Sequence, residues 1–255
     1  MPQLTHFATP CPEPINSQIL QMVVDNLTDI SMVGIAPSNP LYNVYQYAVG
    51  YEVHLYLEAL GGAKGIAVEL IVAMDDEDPE KVIGFLLYLP VKDDPEACGV
   101  AYMAVQASHR RQGVARAMLQ DMLGCYPHAE LTCTVAKVPW FESMGFQVLG
   151  VRGTQVLMNT RDHGTEGLMG LLDVTSIYSS LEVRQIHTYL LQKHGKRAMI
   201  DAEKQRDRHL DQMTRNAKAF VLDRLSKTPS TGLVPSRLSS PFGRAGWPRR
   251  DILSH

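Results

Sequence analysis

The stretch GVAYMAVQASHRRQGVARAMLQDMLG, residues 99–124, decides the fold of this chain. Its first part, 100–105, is apolar and rich in β-forming residues, which predicts a core strand. The next residues, 106–112, are polar and basic and indicate a loop. From Gly113 onward, apolar residues recur every three or four positions, as on one face of a helix, and Gly124 is a typical helix stop. The stretch therefore predicts a buried strand, a short basic loop and an amphipathic helix in direct succession.

The loop between this strand and this helix contains the pattern Arg110-x-x-Gly113-x-Ala115. Small side chains at the start of a helix let a ligand come close to the backbone. The first N–H groups of a helix have no partner within it, and together with the helix dipole they form a site for phosphate. Arg110 and Arg111 add positive charge beside this site. The same small residues also suit close packing of a helix on a sheet, so the pattern alone leaves both interpretations open.

The composition is that of an ordinary globular protein and excludes several function classes. The 255 residues are 45% hydrophobic and 20% charged, and the net charge of -3 argues against a general binder of nucleic acid or of an anionic membrane. The four cysteines are irregularly spaced, which indicates neither a metal site nor a disulfide framework and favours a reducing, cytoplasmic setting. Neither a signal peptide nor a membrane span is expected. No motif of a zinc protease, serine hydrolase, P-loop or dinucleotide-binding protein occurs.

Apolar periodicity also predicts the elements on both sides of the central stretch. Alternation of apolar and polar residues indicates strands, and three- and four-residue spacing indicates helices. The predicted elements in chain order are a strand over 4–9, helices over 15–30 and 41–60, strands over 65–74, 81–91 and 100–105, a helix over 114–123, a strand over 130–135, a short helix from Pro139, and strands over 147–152 and 154–160.

Two motifs and this element order resemble one known family. The segment VQASHRRQGVARAML, 105–119, is similar to the acetyl-CoA motif Arg/Gln-x-x-Gly-x-Gly/Ala of the GNAT superfamily of acyl-CoA N-acetyltransferases. The segment WFESMGF, 140–146, is similar to the Phe-Tyr-x-x-x-Gly-Phe signature of the same family. Two motifs in the right order and separation are more specific than either one alone. The resemblance covers residues 3–159 and implies an α+β fold with a central mixed sheet flanked by helices.

The resemblance also implies a cosubstrate and its contacts. Acetyl-CoA would donate its acetyl group directly to a primary amine, without a covalent enzyme intermediate. The backbone amides of 111–115 would hold the pyrophosphate, 103–105 would pair with the pantetheine arm, and Phe141 would pack near the thiol. The implied cofactor-binding residues are Met103, Ala104, Val105, Arg110, Arg111, Gln112, Gly113, Val114, Ala115 and Phe141.

The resemblance does not fix the catalytic residues. In the family, a tyrosine of the second motif often gives the departing thiolate its proton, but this chain has Phe141 at that position. Phenylalanine has no proton to donate, so another group must act in this step. The candidate acids and bases are Tyr102, His109, Cys133 and Glu69, and the sequence singles out none of them.

Five tyrosines crowd into the predicted helix over 41–60. Amphipathic packing, with the hydroxyl groups reaching water, is one explanation. The resemblance offers another, because GNAT proteins build part of the acceptor pocket from their first two helices. The residues concerned are Tyr42, Tyr45, Tyr47, Tyr51 and Tyr56.

The resemblance ends near residue 160, and the remaining third of the chain has a different character. Helices are predicted over 176–194 and 196–225. In the second helix a narrow apolar seam suits a partner helix better than a globular core, and that partner could be the protein's own domain, another copy or a different protein. The tail, 227–255, is rich in Ser, Pro and Arg and is predicted to be disordered or bound to a partner. The seam residues are Leu210, Met213, Ala217 and Phe220.

The sequence therefore predicts a GNAT-like domain over 1–160, a helical extension over 161–226 and a tail over 227–255. The first hypothesis is an acyl-CoA dependent N-acyltransferase that acts on an unidentified amine. The alternative is a non-catalytic structural or assembly protein, for example a virion component, that attaches to a protein partner or a second copy through 196–225 and the tail. The intact phosphate loop favours the enzyme, whereas Phe141 and the long extension favour the scaffold.

Overall fold

The computed structural model describes residues 2–165 and 167–227. Within these residues the chain forms one mixed sheet of seven strands with helices on both faces, as the resemblance implies. The strands lie in the order β1-β2-β3-β4-β5-β7-β6. Their bounds are β1 Gln3–Phe7, β2 Glu69–Met74, β3 Val82–Pro90, β4 Ala97–Val105, β5 His128–Cys133, β6 Gln147–Arg152 and β7 Gln155–Asn159.

The helices cover the two faces of this sheet. The α1 and α3 helices pack on one face, and α4 and α5 pack on the other. None of the helices among the described residues has the length and the apolar character that a membrane crossing needs. The bounds are α1 Glu13–Asp25, α2 Leu27–Ile30, α3 Tyr42–Ala59, α4 Val114–Cys125, α5 Val138–Glu142, α6 Thr175–Tyr178 and α7 Leu181–Lys227.

The β3 strand lies at the centre of the sheet and is buried on both sides. Phe85 and Leu87 point into the core beneath α1 and α3, whereas Leu86 and Tyr88 point into the core beneath α4. All four side chains are almost fully inaccessible to solvent. Alternate residues of a strand face opposite sides, so a strand between two cores must be apolar throughout, as the continuous apolar run of β3 is.

Two predicted helices are interrupted, in each case at a residue whose side chain competes with the helix. The predicted helix over 15–30 ends at Asn26, whose side-chain amide donates to the carbonyl of Met22 at 2.7 Å, and α2 follows. The predicted helix over 176–194 is divided, because the hydroxyl of Ser180 accepts a hydrogen bond from the amide of Val183 at 3.3 Å and starts α7 afresh. Short polar side chains favour such helix ends.

The last helix, α7, consists of two segments on either side of Gly195, whose backbone is not helical. The first segment and the residues just after Gly195 pack into the core beneath α1 and α3, through Leu190 and Met199 among others. The second segment reaches the opposite core, where Ala217 and Val221 are buried. The helix therefore spans both faces of the sheet.

The predicted apolar seam covers the protein's own domain, one of the three alternatives that the sequence left open. Leu210 packs against the first core, and Ala217 and Phe220 belong to or pack against the second. Met213 lies close to Gly34, in the loop after α2. An association through 196–225 and the division into domains both stay predictions. The tail, beyond Lys227, lies outside the described residues.

Candidate functional site

The site lies where β4 and β5 separate. These parallel strands pair only over three residues each, 97–99 with 128–130. In β4, Tyr102 lies opposite Leu87 and Val100 lies opposite Tyr88, so Ala101 is an extra residue that forms a bulge. Bulges bend a strand and end its pairing. One edge of β4 beyond Gly99 therefore faces an open gap with its backbone polar groups available to a ligand.

A cavity of about 1100 Å³ fills this gap. Its walls come from β4, the end of β5, the start of α4, the α1–α2 region, α3, α5, the β6–β7 turn and the segment before α6. The cavity thus extends from the basic loop before α4 to the middle of α3.

The loop before α4 is open. Gly113 has a φ of +85°, a conformation that glycine adopts easily, and it caps α4 without any side-chain hydrogen bond. A Cβ atom added to Gly113 would meet nothing within 4 Å. Arg111, with φ of +64°, is also in the left-handed region, and backbone strain of this kind collects at ligand-binding turns. The free N–H groups of the first turn of α4 therefore face accessible space that fits a phosphate.

Two basic side chains tie α2 to both sides of the gap. Arg110, from the β4 side, pairs with the Asp29 carboxylate at 3.2 Å and with Asn26. Lys137, from the β5 side, donates to the backbone carbonyl of Asp29 at 2.9 Å. The loop after α2 also contacts the β6–β7 turn, where the Thr154 hydroxyl donates to the Met32 carbonyl at 2.7 Å. Residues 26–32 therefore cover the cavity and connect its two sides.

The opposite end of the cavity contains a half-buried carboxylate. Glu52 of α3 and Tyr102 of β4 both line the cavity, and the Tyr102 hydroxyl donates a hydrogen bond to the Glu52 carboxylate. Burial raises the pKa of Glu52 from 4.5 to about 7, against the opposing effect of the Tyr102 hydrogen bond. Burial and the charge of Glu52 raise the pKa of Tyr102 well above its ordinary value. A carboxyl group with a pKa near neutrality can both accept and return a proton at physiological pH.

Most of the residues predicted to bind the cofactor line this one cavity. Gln112 and Gly113 lie beside it, exposed, and Val114 is buried beneath the start of α4. Gln112 donates its side-chain amide to the carbonyl of Ser108 at 2.9 Å, within the same loop. Those in the cavity wall are Met103, Ala104, Val105, Arg110, Arg111, Ala115 and Phe141.

The four catalytic candidates divide into two inside the cavity and two outside. Tyr102 and Cys133 line it. His109 lies 3.3 Å from the half-buried Asp75 carboxylate, and Glu69 accepts hydrogen bonds from two tyrosine hydroxyls, each at 2.8 Å. Neither of this second pair belongs to the cavity wall. Across the described residues, no group of three or more His, Cys, Asp or Glu side chains is placed to hold a metal ion.

Phe141 and Cys133 are held in apolar surroundings. The Phe141 ring packs edge-on against Trp140 at 4.7 Å and Phe146 at 5.8 Å between ring centroids. The Cys133 thiol lies 3.6 Å from the sulfur of Met158, and burial raises its pKa to about 12. The thiol is therefore neutral at physiological pH and is a poor nucleophile.

Sequence reasoning missed Glu52, although a signal for it was present. Ala48, Glu52 and Tyr56 follow one another at four-residue spacing along α3, so Glu52 occupies an apolar row of the helix. A carboxylate in such a row is costly to bury unless it serves a purpose. Of the five tyrosines in 41–60, Tyr56 lines the cavity and Tyr45 is buried in the core, so packing and pocket lining both occur.

Known proteins resemble this chain in its central part. Residues 67–148 match the family model described as "Acetyltransferase (GNAT) domain". No curated protein matches the chain. Among solved structures, the PaiA N-acetyltransferase from Thermoplasma acidophilum in complex with coenzyme A aligns with a TM-score of 0.49 and 8% identity, over 62% of this chain and 99% of that chain.

Two further structures align over a similar share. A histone acetyltransferase HPA2 and related acetyltransferase from Corynebacterium glutamicum has a TM-score of 0.46 and 15% identity, over 64% of this chain and 98% of its own. An acyl-CoA N-acyltransferase from Pseudomonas aeruginosa has a TM-score of 0.43 and 10% identity, over 63% and 100%. The match of residues 67–148 to the acetyltransferase (GNAT) domain model confirms the resemblance to the GNAT superfamily in this central part of the chain.

Proposed function

We propose that this protein is an acyl-CoA dependent N-acyltransferase that transfers an acetyl group from acetyl-CoA to a primary amine. One observation carries the proposal: a single cavity joins the basic loop before α4 to the Glu52–Tyr102 pair. The loop offers N–H groups and positive charge, as a diphosphate requires. The pair offers a carboxylate whose pKa is about 7, and such a base can take the proton that an amine acceptor must lose.

The donor would lie along β4. The amides of 111–115 would hold its pyrophosphate, and the edge of β4 at 103–105 would form hydrogen bonds with its pantetheine arm. The open space at Gly113 and the unpaired edge of β4 fit these roles. Phe141 and Trp140 give the cavity an apolar wall on the α5 side. Acetyl-CoA, when bound, supplies an acyl group activated as a thioester.

Glu52 and Tyr102 would handle the protons. An amine reaches the site as an ammonium ion and must lose a proton before it can attack, and the Glu52 carboxylate accepts that proton. The new bond joins the amine nitrogen to the acyl carbon while the bond from that carbon to sulfur breaks, and the nitrogen releases its second excess proton to solvent as the neutral amide forms. Tyr102 donates its hydroxyl proton to the leaving thiolate and regains one from Glu52. In this path Tyr102 takes the role of the family's tyrosine, at whose position this chain has Phe141.

Calorimetry and a thiol-release assay test the proposal together. The full chain is titrated with acetyl-CoA, and release of free thiol is then followed with a panel of primary amines. We expect micromolar binding and thiol release that depends on the amine. Binding without amine-dependent release would favour the structural alternative with a retained nucleotide site. Absence of binding at millimolar acetyl-CoA would overturn the donor site and the transferase together.

A further inference from the structure

A segment beyond the family match completes the cavity. Leu171, Leu172 and Val174 line it together with Glu52 and Tyr56 of α3. These three residues precede α6 and lie outside the matched range, 67–148. The end of the cavity around Glu52 therefore has one wall from a segment that follows the matched range.

Close backbone packing holds this segment in place. A Cβ atom on Gly170 would lie 2.5 Å from the side chain of Ile66, and one on Gly167 would lie 2.4 Å from the side chain of Val91. No side chain fits at such distances without a shift of its neighbours. The carbonyl of Leu168 also accepts a hydrogen bond from the Lys92 amide at 2.8 Å. The segment is thus fastened to the domain immediately before it reaches the cavity.

The segment also contacts the aromatic side chains of the cavity directly. The backbone amide of Leu172 donates to the Tyr56 hydroxyl at 3.4 Å. The ring of Tyr56 lies 6.5 Å from that of Tyr102, between centroids. Burial raises the pKa of Tyr56 to about 12, so its hydroxyl stays neutral. This end of the cavity therefore combines one carboxylate with aromatic and aliphatic surfaces.

We propose that residues 171–174 form the acceptor wall of the site, and that the acceptor is a small primary amine with an apolar body. This inference rests on the proposed transferase function. The ammonium group pairs with Glu52, and the apolar body packs against Tyr56, Leu171 and Leu172. Because one cavity of about 1100 Å³ must hold the end of the donor as well, the room left suits a small molecule better than a polypeptide.

Acceptor preference is the first test. Steady-state kinetics at saturating acetyl-CoA compares 2-phenylethylamine, ethanolamine and a tetrapeptide with a free amino terminus. We expect kcat/KM for 2-phenylethylamine to exceed that for each of the others by at least about tenfold, since burying an aromatic ring contributes more than burying a hydroxymethyl group. Equal or greater activity on the peptide or on ethanolamine overturns the assignment.

Paired leucine variants test the wall itself. Leu172→Ala removes a side chain from the cavity wall, whereas Leu168→Ala removes one that is 71% exposed on the same segment. We expect Leu172→Ala to raise KM for 2-phenylethylamine about tenfold, to leave ethanolamine kinetics within about twofold, and to leave the Kd for acetyl-CoA unchanged. Leu168→Ala should match the unmodified protein. Equal effects of both variants, or no change in acceptor preference, overturn the proposal.

A glycine variant tests the same wall without touching the cavity. Gly170→Ala forces the segment away from Ile66, whereas Gly124→Ala adds a methyl group where nothing lies within 4 Å. We expect only Gly170→Ala to raise the acceptor KM, with thermal unfolding still cooperative. If the unmodified protein does not bind acetyl-CoA, the proposed function on which this inference rests is overturned. If Gly170→Ala binds acetyl-CoA and shows normal acceptor kinetics, only the assignment of the acceptor wall is overturned.

Discussion

The two ends of the cavity are built in different ways. The donor end comes from one continuous stretch, in which β4, the basic loop and the start of α4 follow one another along the chain. The acceptor end is assembled from α3, β4 and the segment before α6, and its contact between Tyr56 and Leu172 joins residues 116 positions apart. A local motif thus encodes the proposed donor end, whereas the proposed acceptor end exists only after the chain has folded.

Removal of the carboxylate at the acceptor end is expected to give the largest effect. Glu52→Gln should lower kcat/KM by about a thousandfold, because it removes the base while keeping the shape of the side chain. In the unmodified protein, activity should rise with pH through about 7, as Glu52 loses its proton, and this rise should vanish in the variant. The acetyl-CoA affinity should not change. Glu58→Gln, on the exposed part of α3, is the control; a similar loss there would contradict the role of Glu52.

A change at the donor end should instead lower the affinity for acetyl-CoA. Gly113→Glu places a side chain in a left-handed turn and a negative charge at the amino end of α4. We expect the affinity for acetyl-CoA to fall by at least about a hundredfold, roughly 2.7 kcal/mol, in calorimetry. Gly124→Ala should bind normally, and circular dichroism should show both variants folded. Unchanged affinity in Gly113→Glu would move the phosphate site away from this loop.

A core substitution in α7 should lower the stability of the domain that carries both ends, because this helix packs into both cores. Val221→Ala empties space in the core beneath α4, whereas Leu222→Ala removes a side chain that is 71% exposed. We expect Val221→Ala to lower the free energy of unfolding by about 2 kcal/mol and Leu222→Ala by close to zero. Chemical denaturation measures both. If Leu222→Ala is the more damaging change, the exposed face of α7 is covered by a partner.

The smallest expected effect again concerns Glu52, now through stability. Because the pKa of Glu52 is raised from 4.5 to about 7 in the folded protein, its ionisation lowers stability progressively between these pH values, and the full loss is present above about pH 7. Glu52→Gln should therefore increase the free energy of unfolding by about 1 kcal/mol near pH 8, since the group faces a cavity, and by almost nothing near pH 4. Glu58→Gln should show no such gain. A gain of equal size at both pH values would mean that the pKa of Glu52 is not raised.

The sequence predicted the strand, the turn and the helix that form the proposed donor end, because their determinants are local. The order of elements and the turn at Gly113 follow from hydrophobic periodicity and from the conformational freedom of glycine. At the other end, the sequence offered the tyrosines of 41–60 as pocket residues but not Glu52, because the pKa of such a carboxyl group depends on burial by residues far away in the chain. The breaks at Asn26 and Ser180 were missed for a related reason: a single side-chain hydrogen bond outweighs an otherwise continuous helical pattern.

The attachment of Arg110 and Lys137 to Asp29 has a consequence for turnover. Since these contacts reach α2 from both sides of the gap, a long ligand bound along β4 would pass beneath them. Loading and release would then require these contacts to break, whereas the chemistry would proceed with them formed. The Arg110–Asp29 ion pair is exposed, and exposed ion pairs weaken with added salt, so ionic strength would change the rate of loading and release.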